Sequence, residues 1–345
     1  MKKSIKIKTF IALIVLAIFG VTSCSESNDP YVTPVPTAPA ADNTIVGKAV
    51  ATPSLSILVA ALTKAELVGV LKGTGPFTVF APTNDAFTAA NISVASINAL
   101  STPTEIATLK QVLLNHVISG SKTTAAQLTD NTYLGTTATY AATTNKLSMY
   151  VAKTAAGAVK LNGVSSVTTA DTEASNGIIH IVDKVIGLPT IATHAAANPA
   201  FSILFKAVTS TVANGNGFGD QSAVATFLTT NTTPLTVFAP TDAAFAAATA
   251  AANGTTPAAW ANGATPTQVT KVLQYHVTDG NVLSTSLTQA QVIPMKTSPV
   301  LNTTIDLVGG AKIKDTQNIS ASIIATNVQC VNGIIHGIDK VLRPF

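Results

Sequence analysis

The sequence has 345 residues, of which 47% are hydrophobic and only 10% are charged. At about 100–200 residues per domain, this length predicts two domains, and the apolar content excludes disorder over most of the chain. The formal net charge of +4 comes from Lys2, Lys3, Lys6 and Lys8, because removing these four from the 20 basic residues leaves 16 to balance 16 acidic ones. Arg343 is the only arginine. The rest of the chain therefore lacks the basic surface that nucleic-acid binding requires.

Residues 1–23 have the pattern of an export signal. Lysines within residues 2–8 precede an apolar run at 10–20, which is too short to span a bilayer. The run is followed by Val-Thr-Ser in front of Cys24. This segment resembles the bacterial lipoprotein signal, which implies that the leader is cleaved and that Cys24 receives the lipid that anchors the protein to a membrane. Two or three acyl chains anchor a protein stably.

The residue after Cys24 is Ser25 rather than aspartate, a pattern that resembles export to the outer membrane in Gram-negative lipoproteins. We therefore expect a secreted, lipid-anchored protein at the outer membrane or cell surface. The alternative is an ordinary signal peptide with an incidental cysteine, or a cysteine that serves as a buried structural thiol. Residues 24–43 contain four prolines and no apolar period, which predicts a polyproline-like tether, or else a plain disordered tail.

Three sequence blocks in the rest of the chain occur twice, in the same order. This tandem repetition predicts two domains of similar fold, at residues 44–189 and 190–345. The first block pairs residues 75–87 with 234–245, the second pairs 113–117 with 273–277, and the third pairs 176–185 with 332–341.

Local patterns within the blocks predict their secondary structure. Residues 78–80 (Thr-Val-Phe) read as a strand that ends at Pro82, with Thr83 as the N-cap of a following helix. An apolar stripe at helical spacing upstream of His116 predicts a second helix. Asn-Gly at 176–177, and again in the second copy, predicts a turn into a closing strand.

The three blocks resemble the signature segments of the fasciclin (FAS1) family, and the match covers both copies. The resemblance implies an α+β fold in which each domain is a twisted β-sandwich or wedge with helices packed against it. It also implies adhesion or ligand recognition rather than catalysis, with no cofactor. Tyr275-His276 resembles the family's tyrosine-histidine motif, whereas the first copy departs from it with Asn115 before His116.

These four residues, Asn115, His116, Tyr275 and His276, are therefore candidates for partner binding. The alternative is that each histidine is a partly buried residue that bonds to the backbone and fixes the end of its helix, since it continues the apolar stripe. The aromatic ring of Tyr275 favours the second copy as the binding copy.

Other polar residues give weaker indications of chemistry. His180 and His336 fall on a strand face opposite to Asp183 and Asp339, which argues against a histidine–carboxylate pair within the strand. No set of histidines or cysteines has the spacing of a zinc site, so we expect no metal. Cys330 corresponds to Ala174 in the first copy, which favours a small buried position over a reactive thiol.

Two features belong to the second copy alone. A glycine-rich insertion at 214–220 reads as a flexible loop or as a lid over a ligand, and Trp260 is a candidate sugar-stacking platform or a packing residue. The leading hypothesis is a lipid-anchored envelope protein that binds an extracellular protein or polysaccharide. The alternatives are a glycan-binding accessory of a nutrient-uptake complex, a structural spacer, and an enzyme, for which the sequence offers no paired acids or nucleophile motif.

Overall fold

The computed structural model of the protein describes residues 42–141, 143–211, 218–231, 233–251 and 265–344. Both sequence copies fold into a seven-stranded sheet with helices packed against it, which confirms the predicted α+β class. The first copy contains α1 (Ile45–Val50), α2 (Ser56–Lys64), α3 (Val68–Leu71), β1 (Phe77–Pro82), α4 (Asn84–Ala89), α5 (Val94–Ala99), α6 (Pro103–Asn115), β2 (Val117–Ser119), β3 (Thr132–Thr139), β4 (Lys146–Lys153), β5 (Val159–Leu161), β6 (Ser165–Ala174) and β7 (Gly177–Val182). The second copy contains α7 (Ile191–Ala197), α8 (Ser202–Val208), α9 (Ser222–Thr230), β8 (Leu235–Pro240), α10 (Asp242–Ala251), α11 (Pro266–Gln274), β9 (Val277–Asp279), β10 (Val292–Pro294), β11 (Asn302–Asp306), β12 (Lys312–Lys314), β13 (Ser320–Cys330) and β14 (Gly333–Ile338).

The strand order is the same in the two sheets: β2-β1-β7-β6-β5-β4-β3 in the first and β9-β8-β14-β13-β12-β11-β10 in the second. The strands of the first and third sequence blocks lie side by side and run parallel, β1 with β7 and β8 with β14. Each sheet nearly closes on itself. In the first, the Thr137 hydroxyl donates to the Val117 carbonyl at 2.9 Å, and in the second, the Lys296 N–H donates to the Val277 carbonyl at 2.8 Å.

The asparagine of the third block fastens the helices to the sheet. The Asn176 side-chain oxygen accepts from the Ile45 N–H at the start of α1, at 2.9 Å. Its amide nitrogen donates to the carbonyls of Leu71 and Gly73, both at 2.8 Å. One buried side chain therefore satisfies backbone groups from two helical segments, which would otherwise be buried without partners.

The second copy repeats this arrangement and shows why glycine follows the asparagine. Asn332 accepts from the Ile191 N–H and donates to the Leu228 carbonyl, both at 3.0 Å. A Cβ atom on Gly177 would lie 2.1 Å from the Phe77 carbonyl oxygen, and one on Gly333 would meet β8 at 2.0 Å. Only glycine permits the closing strand to approach its parallel partner this closely.

The helix that follows β1 starts where the sequence predicts. The Thr83 hydroxyl accepts from the Ala86 N–H at 3.2 Å, which makes it the N-cap of α4. Asn84 then bonds to the start of α2, accepting from the Ile57 N–H at 3.0 Å. Asp242 takes the same role in the second copy, where it accepts from the Ile203 N–H at 2.9 Å.

Each copy has two apolar cores, one under the helices and one inside the curled sheet. Successive residues of the first-block strand point to opposite sides, so Val79 joins the helical core and Phe80 the core inside the sheet. Val237 and Phe238 divide in the same way. A strand buried on both faces explains why this block reads as a continuous apolar run.

Candidate functional site

His116 lies at the end of α6 and ties that helix to the chain after β7. Its Nδ1 donates to the Val112 carbonyl at 2.7 Å, and its Nε2 accepts from the Ile186 N–H at 2.8 Å. Because Nε2 accepts, the proton of the neutral ring resides on Nδ1. The residue is only 2% exposed.

His276 has the same geometry at the end of α11. Its Nδ1 donates to the Val272 carbonyl at 2.7 Å, and its Nε2 accepts from the Leu342 N–H at 2.9 Å. Burial lowers the pKa of both His116 and His276 to about 4, and the bond from Nδ1 to the carbonyl opposes this only in part. Both rings are therefore neutral at pH 7, and each connects the end of a helix to a later segment through two hydrogen bonds.

The Tyr275 ring lies inside the curled sheet of the second copy and is fully buried. Its hydroxyl donates to the Asn302 carbonyl at 2.8 Å and accepts from the Thr316 N–H at 3.2 Å. Burial raises the pKa of Tyr275. The tyrosine thus supports the fold both by packing and by two hydrogen bonds to the main chain.

Asn115 replaces the tyrosine in the first copy and is also fully buried. Its amide nitrogen donates to the Gly187 carbonyl at 3.0 Å, and its side-chain oxygen accepts from the Thr136 hydroxyl at 3.3 Å. The amide therefore ties the helix end to the segment that leads into the second copy.

These positions bear directly on the predicted binding role of the two motifs. Asn115, His116, Tyr275 and His276 are each at most 2% exposed, so they offer almost no surface to a partner. The hydrogen bonds favour the alternative interpretation, in which the histidines fix the helix ends. Whether the motifs affect partner binding stays a prediction, and any effect they have must act through the segments they position.

The histidines of the third block are buried in a different way. The His180 Nδ1 accepts from the Asp171 N–H at 3.3 Å, its Nε2 donates to the Thr123 carbonyl at 2.9 Å, and its ring stacks on Phe80. The Asp171 carboxylate lies 3.8 Å from Nδ1. This acid comes from the irregular strand β6, whereas the Asp183 carboxylate accepts from the Ser166 N–H. The sequence alone does not reveal Asp171 as a neighbour of His180, because only strand pairing brings the two residues together.

His336 has matching contacts to Asn327 and Val282, and burial lowers its pKa. Cys330 is fully buried and burial raises the pKa of its thiol, which confirms the predicted small buried position. Cys24, Trp260 and residues 214–217 of the glycine-rich insertion lie outside the described residues. Phe218, near the end of that insertion, is buried in the helical core of the second copy.

An open groove of about 560 Å³ lies on the second copy, between the edge strands β9 and β10 and beside α9. Its volume is in the range of ligand-binding sites. The groove is lined by both apolar and polar side chains, and two of the valines that border it are unusually exposed, Val292 at 58% and Val300 at 64%. It is lined by Phe227, Gln274, Thr278, Asp279, Val282, Val300 and residues 291–297.

One pair of charges stands in the groove. The Lys296 ammonium lies 2.7 Å from the Asp279 carboxylate and 5.5 Å from the centre of the Phe227 ring. Both charged side chains are partly exposed, so water screens the pair and its contribution to stability is small. The two charges offset each other and place a hydrogen-bond donor beside an acceptor in the groove.

The main chain of β10 adds a second polar feature. Gln291 and Met295 bond to the main chain on the β11 side. The Gln291 carbonyl accepts from the Ile305 N–H, and the Met295 N–H donates to the Leu301 carbonyl, both at 2.9 Å. Main-chain groups alternate along a strand, so the N–H and carbonyl of Val292 point to the outer edge, toward the groove. Pro294 shares that edge but has no N–H, and its carbonyl accepts from Thr278.

The groove is not evident from the sequence. Asp279 and Lys296 are 17 residues apart and belong to none of the three blocks. They meet because the curled sheet brings its first and last strands together, which the block pattern does not specify. The sequence does not mark the two valines as exposed, because valine is an ordinary residue of β-strands.

Within the described residues, no group of three or more histidines, cysteines or acids is arranged to hold a metal ion. None of the helices in this part of the chain combines the length and the apolar character that are needed to cross a membrane.

Comparison with known proteins places the fold in a family context. The chain matches the fasciclin domain over residues 53–189 and again over 209–344. It is similar to Protein sll1483 of Synechocystis sp., with 41% identity over 143 residues, which are 41% of this chain and 72% of that protein. It is also similar to Uncharacterized protein sll1735 of the same organism, with 37% identity over 142 residues, which are 41% of this chain and 96% of that protein.

Among solved structures, a FAS1 domain pair from the insect cell adhesion molecule Fasciclin I aligns with a TM-score of 0.46 and 19% identity, over 86% of this chain and 95% of that one. Fasciclin domains are associated with adhesion and binding. Since the two domain matches together cover well over half of the sequence, the chain belongs to the fasciclin domain family, with two copies of the domain in tandem.

Proposed function

We propose that the protein is a lipid-anchored envelope protein that binds an extracellular protein through the groove of its second domain. The groove carries this proposal, because it combines apolar side chains, two exposed valines and an open strand edge on one surface. Isolated exposed apolar residues are common on protein surfaces, but apolar residues clustered along a groove mark interaction sites.

The chemistry of the groove favours an extended protein segment as the ligand. The Val292 N–H and carbonyl offer one pair of main-chain hydrogen bonds, which is how a peptide adds to the edge of a sheet. Val292 and Val300 would contact apolar side chains of that segment, and the Lys296–Asp279 pair would accept and donate hydrogen bonds at a fixed place. Pro294 limits the contact to a short stretch of strand.

A polysaccharide is the competing ligand, and a glycan-binding accessory of a nutrient-uptake complex is the corresponding alternative function. Recognition of sugars commonly uses an exposed aromatic face, but among the described residues the groove is lined by a single aromatic ring, Phe227, which is partly buried beside the Lys296 ammonium. A structural spacer, the other alternative, would need no groove at all.

The proposed location follows from the start of the sequence. The basic segment, the apolar run and the small residues before Cys24 support cleavage and lipidation at that cysteine. The tether at 24–43 would hold the domains at a distance from the lipid. Replacement of Cys24 by alanine should leave the protein uncut or unattached. If Cys24→Ala still incorporates fatty acid and fractionates with membranes, the anchor is elsewhere.

Binding is tested with the purified protein on an array that carries both matrix proteins and polysaccharides. For a protein ligand found there, Val292→Lys and Val300→Lys should each weaken binding at least about 10-fold, because each places a charge where an apolar contact forms. Val308→Lys is the matched control, since Val308 is a 70% exposed valine that does not line the groove.

Equal affinities for the three lysine variants would show that the ligand binds elsewhere. Binding to polysaccharides alone would favour the glycan-binding alternative, and the absence of any ligand on the array would favour the spacer.

A further inference from the structure

The two domains meet through a buried contact between the edge of the first sheet and the start of the second domain. The Gln329 N–H of β13 donates to the Ser148 hydroxyl of β4 at 3.0 Å. The Asn198 side chain, which follows α7, donates to the Tyr133 hydroxyl of β3 at 3.0 Å. A Cβ on Gly163 of the first domain would lie 3.1 Å from atoms of α7. These contacts fix the two domains against each other.

His194 of α7 lies within this contact and is fully buried. Its ring makes an edge contact with the ring of Tyr133, at 5.2 Å between centroids. Neither ring nitrogen has a hydrogen-bond partner among the described residues. This situation is rare, because an unpaired buried polar group normally costs free energy that evolution avoids.

The equivalent residue of the first copy shows that the histidine is specific to the contact. Ile45 and Ile191 both donate to the asparagine of their third block, and the residues three positions later are Lys48 and His194. Lys48 is half-buried on the surface, where a charged residue is stable. In the second copy the neighbouring domain covers this position. It is occupied by His194, whose side chain is neutral when the pH is above its pKa.

Among the described residues, no acidic side chain acts on His194 to compensate a proton on its ring. In the described part of the chain, the ionisable groups at the contact are Tyr133 on β3, Tyr150 on β4 and Cys330 on β13. All are neutral at ordinary pH, and burial raises the pKa of each further. The Asp130 carboxylate acts on Tyr150 and accepts from the Lys153 N–H. Burial lowers the pKa of His194 to about 4, and the nearby Ser148 main chain opposes this without forming a hydrogen bond of normal geometry.

We propose that His194 makes the contact between the two domains sensitive to pH, so that the domains are locked together at neutral pH and separate when the imidazole is protonated. Separation exposes the ring to water, where it accepts a proton with its ordinary affinity. Closure requires the ring to lose that proton or to bury an unpaired charge. The proposal is independent of the groove and of the lipid anchor.

The size of the effect follows from the difference between the buried and exposed rings. With pKa values of about 4 when closed and about 6.5 when open, the equilibrium shifts toward separation by about 20-fold between pH 7 and pH 5. Closure is favoured above pH 6.5, and this preference is lost as the pH falls toward 4.

Hydrogen exchange at the Gln329 N–H measures this opening, because that amide bonds across the contact. In the full chain, and after correction for the intrinsic exchange rate, its protection should fall by about 20-fold between pH 7 and pH 5. The Val282 N–H, which bonds to the Thr236 hydroxyl within the second domain, is the control amide and should change much less.

Two substitutions separate this mechanism from general acid destabilisation. His194→Phe cannot be protonated and should keep the Gln329 amide protected at pH 5, and His194→Leu serves the same purpose if phenylalanine does not fold. His194→Lys restores the residue of the first copy and should lower the protection already at pH 7. The proposal is overturned if the uncharged variants lose protection as the original protein does, or if His194→Lys remains protected at pH 7.

Discussion

A cavity in the helical core of the second domain should be fillable with a gain in stability. The cavity measures about 80 Å³ and has an apolar lining from α7, α8, α9 and the strands below them. The equivalent space in the first domain measures about 10 Å³. The two copies have the same fold, so smaller side chains in the second domain must account for the difference.

Two substitutions between the copies identify these side chains. Leu62 and Leu67, both buried in the first domain, correspond to Val208 and Val224 in the second. The alignment is fixed by Ser56 and Ser202 at the starts of α2 and α8, and by the carbonyls of Leu71 and Leu228, which bond to the block asparagines. Both valines line the cavity.

We predict that Val208→Leu together with Val224→Leu stabilises the protein by about 1.5 kcal/mol, from about 0.8 kcal/mol for each added methylene. The gain should not exceed about 2 kcal/mol, since about 24 cal/mol per Å³ applied to the cavity sets that limit. Leucine is also a slightly better helix former than valine, which adds a few tenths of a kcal/mol.

Urea unfolding provides the assay, with the midpoint shifted upward at an unchanged slope. The reverse change Leu67→Val in the first domain is the matched control, and it should cost about 1 kcal/mol. If the double variant is destabilised by 1 kcal/mol or more, the cavity walls do not accept the leucines and the reasoning from volume is refuted.

Three further predictions follow from the buried polar groups. Stability should fall as the pH drops from 6.5 to 4, because the unfolded state binds more protons than the folded state in this window. The loss at pH 4 should be about 3 kcal/mol for each of His116 and His276. Urea unfolding that gives the same stability at pH 7 and pH 4.5 would contradict this. Tyr275→Phe keeps the packing but leaves the Asn302 carbonyl and the Thr316 N–H without their hydroxyl partner, so it should lower the free energy of unfolding by about 1–2 kcal/mol. It should have no direct effect on ligand affinity. A large loss of affinity in the folded variant would instead support the predicted role of Tyr275 in partner contact. Asn332→Ala should lower the free energy of unfolding by about 2 kcal/mol or more, because it leaves two buried main-chain groups without partners. Thermal melting measures this loss. An unchanged melting temperature would show that water replaces the side chain.

The sequence by itself determined the duplication, the fold class and several local features. Repetition of three ordered blocks identified two domains, and the α+β class followed from the family resemblance. The Thr83 cap and the buried position of Cys330 also followed from the sequence, because helix caps and small buried positions depend on residues close in sequence or on comparison of the copies.

Only the tertiary structure decided which residues face solvent and which meet across the chain. Helical periodicity placed His116 and His276 on an apolar face. It could not distinguish a motif on the surface from a buried ring that forms hydrogen bonds to two segments of the chain. The groove depends on closure of the curled sheet, which joins Asp279 to Lys296, and the buried state of His194 depends on a neighbouring domain. Such contacts join residues far apart in sequence, and their free energy comes from burial that exists only after the chain has folded.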